Sequence, residues 1–168
     1  MSKLIKGSRR QREPHCQSSR FLWLKKAFCL FFPIICGGAV GYLISEYGKE
    51  FVRPPLTPPD TVFYIVWTAL YLIMGYSSLL VFCLSGCRLS CLGGYFSQLA
   101  LNLCWPVSFF IFGHYRLSVL ILAALILSLI ATISDFLKIS KKAARLNYPY
   151  LIWCFFALYL NIASALVN

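Results

Sequence analysis

The chain has 168 residues, of which 60% are hydrophobic and 12% charged, and its mean hydropathy is +0.73. That balance excludes an ordinary soluble domain, which must cover its surface with polar side chains, and makes a lipid bilayer the natural solvent. The formal net charge of +11 does not mark a nucleic-acid partner, because the cations are distributed along the chain by topology rather than gathered on one soluble face. One domain of membrane helices uses nearly all of this length and leaves little for a separate catalytic module.

Residues 1–26 carry eight of the 16 basic residues and a single acid, Glu13, so this segment is expected to be a disordered basic tail that does not pack alone. Five stretches then lack Asp, Glu, Lys and Arg over a length that crosses the hydrocarbon core. They predict an all-α membrane protein, a bundle of five transmembrane helices over residues 27–47, 59–85, 89–113, 117–137 and 147–167. A turn at Ser85, Gly86, Cys87 and Arg88 separates the second and third.

The first span carries Gly37 and Gly41, a spacing that lets a neighbouring backbone approach closely, and Pro33 lies near its start. Pro54, Pro55, Pro58 and Pro59 follow in a loop too stiff to be helical, read either as a rigid surface lid or as a lid that also controls access to a cavity. Asp60 then places a negative charge at the start of the second span. There Trp67, Tyr71, Met74 and Ser78 form one stripe, suited to packing or to lining a pocket.

On the third span Gln98, Asn102 and Trp105 share a face ahead of Pro106. Amides in hydrocarbon must face the bundle, as interhelical glue or as cavity lining. The fourth span is the plainest wall, with Leu125 expected to face lipid and Asp135 expected to be solvated or paired with Lys138. On the fifth, Trp153, Ala157 and Asn161 recur at intervals of four, so a small residue leaves space beside an indole.

The eight cysteines fall largely inside apolar spans and read as free thiols rather than a disulfide framework. Cys83, Cys87 and Cys91 could share a helix face, but no histidine nearby completes a metal set, so no metal and no cofactor is expected. His15 and His114 have no catalytic triad around them, and no phosphate-binding glycine loop is present.

Three blocks, RPPLTPPDTVFYIVWTALYLIMGY, QLALNLCWPVSFF and AARLNYPYLIWCFFALYLN, in this order and spacing, resemble the tryptophan-rich sensory protein family, also known as the translocator protein or peripheral benzodiazepine receptor family. The resemblance implies a five-helix bundle, often a homodimer, whose internal pocket takes porphyrins or other tetrapyrroles, sterol-like lipids and synthetic aromatic ligands, closed by the first loop. It implies ligand contacts at Trp67, Asn102, Trp105, Trp153, Ala157 and Asn161. It implies a receptor, sensor or transporter, with light-dependent porphyrin breakdown between Trp67 and Trp153 as the enzymatic alternative and a scaffold as the third. Thr61 stands where many relatives have tryptophan, and Tyr159 lacks the downstream cation of the animal sterol pattern. The membrane is mitochondrial or of another organelle if the chain is eukaryotic, and the cell envelope if bacterial. Candidate self-association faces are Gly37 with Gly41, or Ser90, Gly94 and Ser97.

Thirteen of the 16 basic residues fall on the tail's side of this topology, so the tail lies inside and the other end of the chain outside. Tags at the two ends, probed with protease in oriented vesicles, are expected to give opposite answers. Both tags on one face would remove the five-span reading.

Overall fold

The computed structural model describes residues 19–168; the expectations for residues 1–18 lie outside the described residues. Six α-helices follow one another: α1 (Ser19–Tyr47), α2 (Asp60–Leu84), α3 (Gly93–Pro106), α4 (Tyr115–Ile139), α5 (Lys141–Leu146) and α6 (Tyr148–Val167). Four segments, Phe21–Tyr47, Asp60–Leu84, Tyr115–Ile139 and Lys141–Val167, are long and apolar enough to cross a membrane.

The third predicted span differs from the others because it is composite. A 3-10 turn, Leu89–Leu92, leads into the 14 residues of α3, and a π turn, Val107–Ile111, follows without a break. Pro106 is the cause: it has no N–H to give to the Asn102 carbonyl one turn back. The backbone answers with a wider turn, in which Phe112 N–H reaches the Val107 carbonyl at 3.2 Å. The three pieces together rise roughly 35 Å, enough to reach across a hydrocarbon core of about 30 Å.

Helix α1 begins at Ser19, eight residues before the expected start at 27. Phe21, Leu22, Trp23 and Leu24 extend its apolar length, and the Lys25 ammonium lies 4.5 Å from the Phe21 ring centroid. A lysine with a long apolar stem can remain in such a helix by carrying its charge towards the interface. The expected turn is present at residues 85–88, where Gly86 and Cys87 both adopt positive φ, 72° and 62°. Cys83, Cys87 and Cys91 are therefore split between a helix, a turn and the 3-10 segment and do not share one helix face.

The core lies between α2, α3, α4 and α6, with Met74, Val81, Phe82, Leu99, Leu122, Leu125, Leu129 and Tyr150 fully or almost fully buried. Leu125 thus faces inward, against expectation, while Leu127 is 70% exposed. Helix α1 is peripheral and leaves Phe28, Phe31, Ile35 and Tyr42 exposed, as suits a helix solvated by lipid.

Helix α1 is fitted to α2 by two glycines. A side chain on Gly37 would collide with the Tyr71 ring, and one on Gly75 with the Leu30 carbonyl oxygen. The Ser78 hydroxyl reinforces the second contact, lying 3.0 Å from the Cys29 carbonyl and 2.9 Å from that of Gly75. Gly41 meets open space, so the expected Gly37–Gly41 pair acts through one member, against a ring rather than a backbone. Gly75 makes the close backbone contact instead.

Gly75→Ala is expected to lower stability by about 1–3 kcal/mol, because the obstructing atom is backbone and cannot rotate away. Gly41→Ala is expected to be neutral or to stabilise by up to about 1 kcal/mol through helix propensity. Thermal unfolding in detergent compares the two, and equal behaviour would contradict the assigned contact.

Candidate functional site

The site is built where α2, α3 and α6 converge. The Trp67 and Trp105 ring centroids lie 5.9 Å apart, and Trp67 also meets Tyr71 at 5.8 Å and Tyr150 at 6.2 Å. These are the separations of interacting aromatic pairs. Trp67 reaches this cluster because the stripe on α2 turns inward, with Tyr71 half-buried and Met74 and Ser78 fully buried further along.

Asn102 joins the three helices. Its side-chain oxygen accepts from the Tyr71 hydroxyl at 2.8 Å, and its amide donates to the Tyr150 hydroxyl at 2.7 Å. Asn102 is fully buried, so each bond replaces one that water cannot supply. The Trp105 indole N–H, by contrast, has no hydrogen-bond partner, and neither does that of Trp153. Buried donors are normally satisfied. These two sit beside aromatic surface and can donate to a bound acceptor.

The remaining expected residues occupy the flank formed by α6. Trp153 packs edge-on to Phe63 at 5.8 Å and against Phe156 at 5.3 Å. Asn161 is engaged with protein at both ends of its amide: its oxygen accepts from the Ser118 hydroxyl at 3.1 Å, and its nitrogen donates to the Ala157 carbonyl at 2.9 Å. Ala157 itself is buried. Trp67, Asn102 and Trp105 thus form one cluster, Trp153 belongs to a second aromatic group on α2 and α6, and Asn161 ties α6 to α4.

Sequence reasoning left out Tyr150, although it lies on the buried α6 face with Cys154, Ala157 and Asn161 at helical spacing. Phe63 lies one helical turn before Trp67, a usable signal. Ser118 gave none, because a lone serine in a Leu- and Ile-rich helix does not announce its partner.

The loop between α1 and α2 is fastened at several points. Lys49 N–H donates to the Phe110 carbonyl at 2.7 Å, and Phe51 packs edge-on to Phe109 at 5.1 Å. Val52 N–H donates to the Asn168 side-chain oxygen at 2.8 Å, and the Asn168 amide returns a bond to the Val52 carbonyl at 3.1 Å. Arg53 pairs with Asp60 at 2.8 Å in an exposed bridge. The hydrogen bond to Asp60 and then its charge raise the Arg53 pKa above its ordinary value. Phe51, Phe109, Phe110 and Trp105 make a continuous aromatic path from loop to cluster.

Residues 29–166 match the TspO/MBR family. The chain belongs to this family. It is 33% identical over 127 residues to the tryptophan-rich protein TspO of Chlorobaculum tepidum, a match covering 74% of this chain and 80% of that one. It is 31% identical over 146 residues to the tryptophan-rich sensory protein of Cereibacter sphaeroides, across 84% and 92% of the two chains. The translocator protein of Homo sapiens is 40% identical over 115 residues, covering 65% of this chain and 67% of that one. Family membership and the four long apolar helices make this TspO/MBR member an integral membrane protein.

Proposed function

We propose that this TspO/MBR protein binds a planar, lipid-soluble ligand, a porphyrin or other tetrapyrrole or a sterol-like lipid, among α2, α3 and α6, as a receptor, sensor or carrier. The observation that carries the reading is the union of Trp67 and Trp105 at 5.9 Å with the buried and unpartnered N–H groups of Trp105 and Trp153. Indole faces supply apolar walls, and the N–H groups suit carboxylate or carbonyl acceptors on a ligand. Asn102 positions the cluster through Tyr71 and Tyr150, Ala157 supplies space, and Asn161 holds α6 against α4. In this reading Leu89–Ile111 is the fifth membrane crossing, and the fastened first loop is the lid.

The same reading includes a homodimer. Ser90, Gly94 and Ser97 are exposed in the third segment, Ser90 and Gly94 beside α4, and small residues of this kind permit close helix approach in lipid. Ser97→Leu is expected to reduce crosslinking in membranes, because Ser97 bonds only to the Gly93 carbonyl of its own helix. Undiminished crosslinking would exclude this face.

Titration with protoporphyrin in nanodiscs, followed by tryptophan fluorescence, tests the ligand site. Trp67→Ala, Trp105→Ala and Trp153→Ala are each expected to weaken binding about tenfold to a hundredfold, the scale of a lost stacking wall. Ala157→Leu is expected to weaken large ligands more than small ones, and Leu127→Ala, at an exposed position, to leave affinity unchanged. Four folded variants that bind like the Leu127→Ala control would make the aromatic cluster packing alone.

A further inference from the structure

The connection from α4 to α6 forms one side of a groove of about 470 Å3 lined by Ile73, Lys141, Lys142, Arg145, Leu146 and Pro149. Its floor and its rim differ in chemistry. Ile73 and Leu146 are half-buried, whereas Lys141, Lys142 and Arg145 are exposed. The Lys142 ammonium lies 3.4 Å from the Tyr76 hydroxyl and 5.5 Å from its ring centroid.

These cations stand on a fixed platform. The Ala143 and Ala144 side chains are fully buried, and the Ser77 hydroxyl donates to the Ala143 carbonyl at 2.9 Å. The Asn147 amide donates to the Ser77 hydroxyl at 2.7 Å and to the Ala143 carbonyl at 2.9 Å. The inner face of α5 is thereby clamped to α2, and its outer side carries three basic residues on a fixed backbone.

No carboxylate among the described residues pairs with the three. Asp60 is held by Arg53 and Asp135 by Lys138, the latter at 2.7 Å, while Glu46 lies in the last turn of α1 and Glu50 in the loop after it. The described residues thus leave the three cations free to meet an external anion.

We propose that this groove binds the phosphate headgroup of an anionic phospholipid, with an acyl chain laid along Ile73 and Leu146. The guanidinium of Arg145 can grip phosphate oxygens by two parallel hydrogen bonds, and the lysines add point charges. A free phosphate would engage the cations and leave the apolar floor uncovered. A phospholipid uses both surfaces, and basic pockets between helix ends at the membrane surface suit such headgroups.

The test uses the full chain purified in non-ionic detergent and titrated with phosphatidylglycerol, phosphatidylcholine or inorganic phosphate. Thermal unfolding gives the apparent affinity, and native mass spectrometry counts retained lipid. Phosphatidylglycerol is expected to stabilise saturably, with one tightly held lipid per chain, and the other two probes to do so far less.

Removing two surface cations with Lys141→Gln/Arg145→Gln is expected to weaken phosphatidylglycerol about thirtyfold, and Arg145→Gln alone about fivefold. The charge-preserving pair Lys141→Arg/Arg145→Lys is expected to retain binding. Arg88→Gln/Lys138→Gln removes equal charge from the same end of the bundle but outside the groove, and is expected to change affinity by less than about threefold. Equal losses in the two charge-removing pairs would reduce the effect to general surface charge. Equal stabilisation by phosphatidylcholine or by inorganic phosphate would also overturn the proposal.

Discussion

A polar group left unpaired in hydrocarbon is costly, and Asn102, both ends of whose amide are paired within the protein, shows how that constraint organises this bundle. One carboxamide, buried between three helices, accepts from Tyr71 on α2 and donates to Tyr150 on α6. A polar side chain with two ends and fixed hydrogen-bond directions specifies orientation in a way that leucine packing does not. The indoles of Trp67 and Trp105 are adjacent because the helices carrying them are joined at this point. Asn161 with Ser118, and Asn147 with Ser77, repeat the device at other helix pairs.

Proline and glycine act on the same constraint from the opposite direction. Pro106 removes a backbone donor, and the π turn that follows leaves the Phe110 carbonyl to accept from Lys49 of the first loop. The interruption in the third segment is therefore also the point at which the loop is anchored. The loop's aromatic contact, Phe51 on Phe109, lies within the same π turn.

The helical architecture was legible in the sequence because charge-free stretches of sufficient length leave few alternatives in a bilayer. The turn at Gly86 and Cys87 followed from local chemistry, and of the two expectations for Asp135, solvated or paired, the structure shows an exposed pair with Lys138. The composite third segment was not legible as such, since hydropathy measures length and apolarity but does not show how a backbone redistributes its hydrogen bonds after a proline. Helical phasing placed Trp67, Asn102 and Trp105 on inward faces, and the structure brings those three together. Phasing within one helix carries no information about the rotation of its neighbours, which is why Asn161 meets Ser118 and why Leu125 lies inside rather than against lipid. The partner of Gly37 was similarly hidden, because a notch does not name the side chain that fills it.

Tyr71 occupies two roles with one ring. Its edge fills the notch at Gly37 on α1, and its hydroxyl holds Asn102. Helix α1 meets lipid over most of its surface, and a bilayer thicker or thinner than its apolar length changes the tilt at which it is best solvated. The wall of the notch belongs to that helix, and the phenol that fills it carries the hydroxyl that orients the Asn102 amide. Tyr71 is thus one of the side chains that tie the packing of the outermost helix to the aromatic cluster.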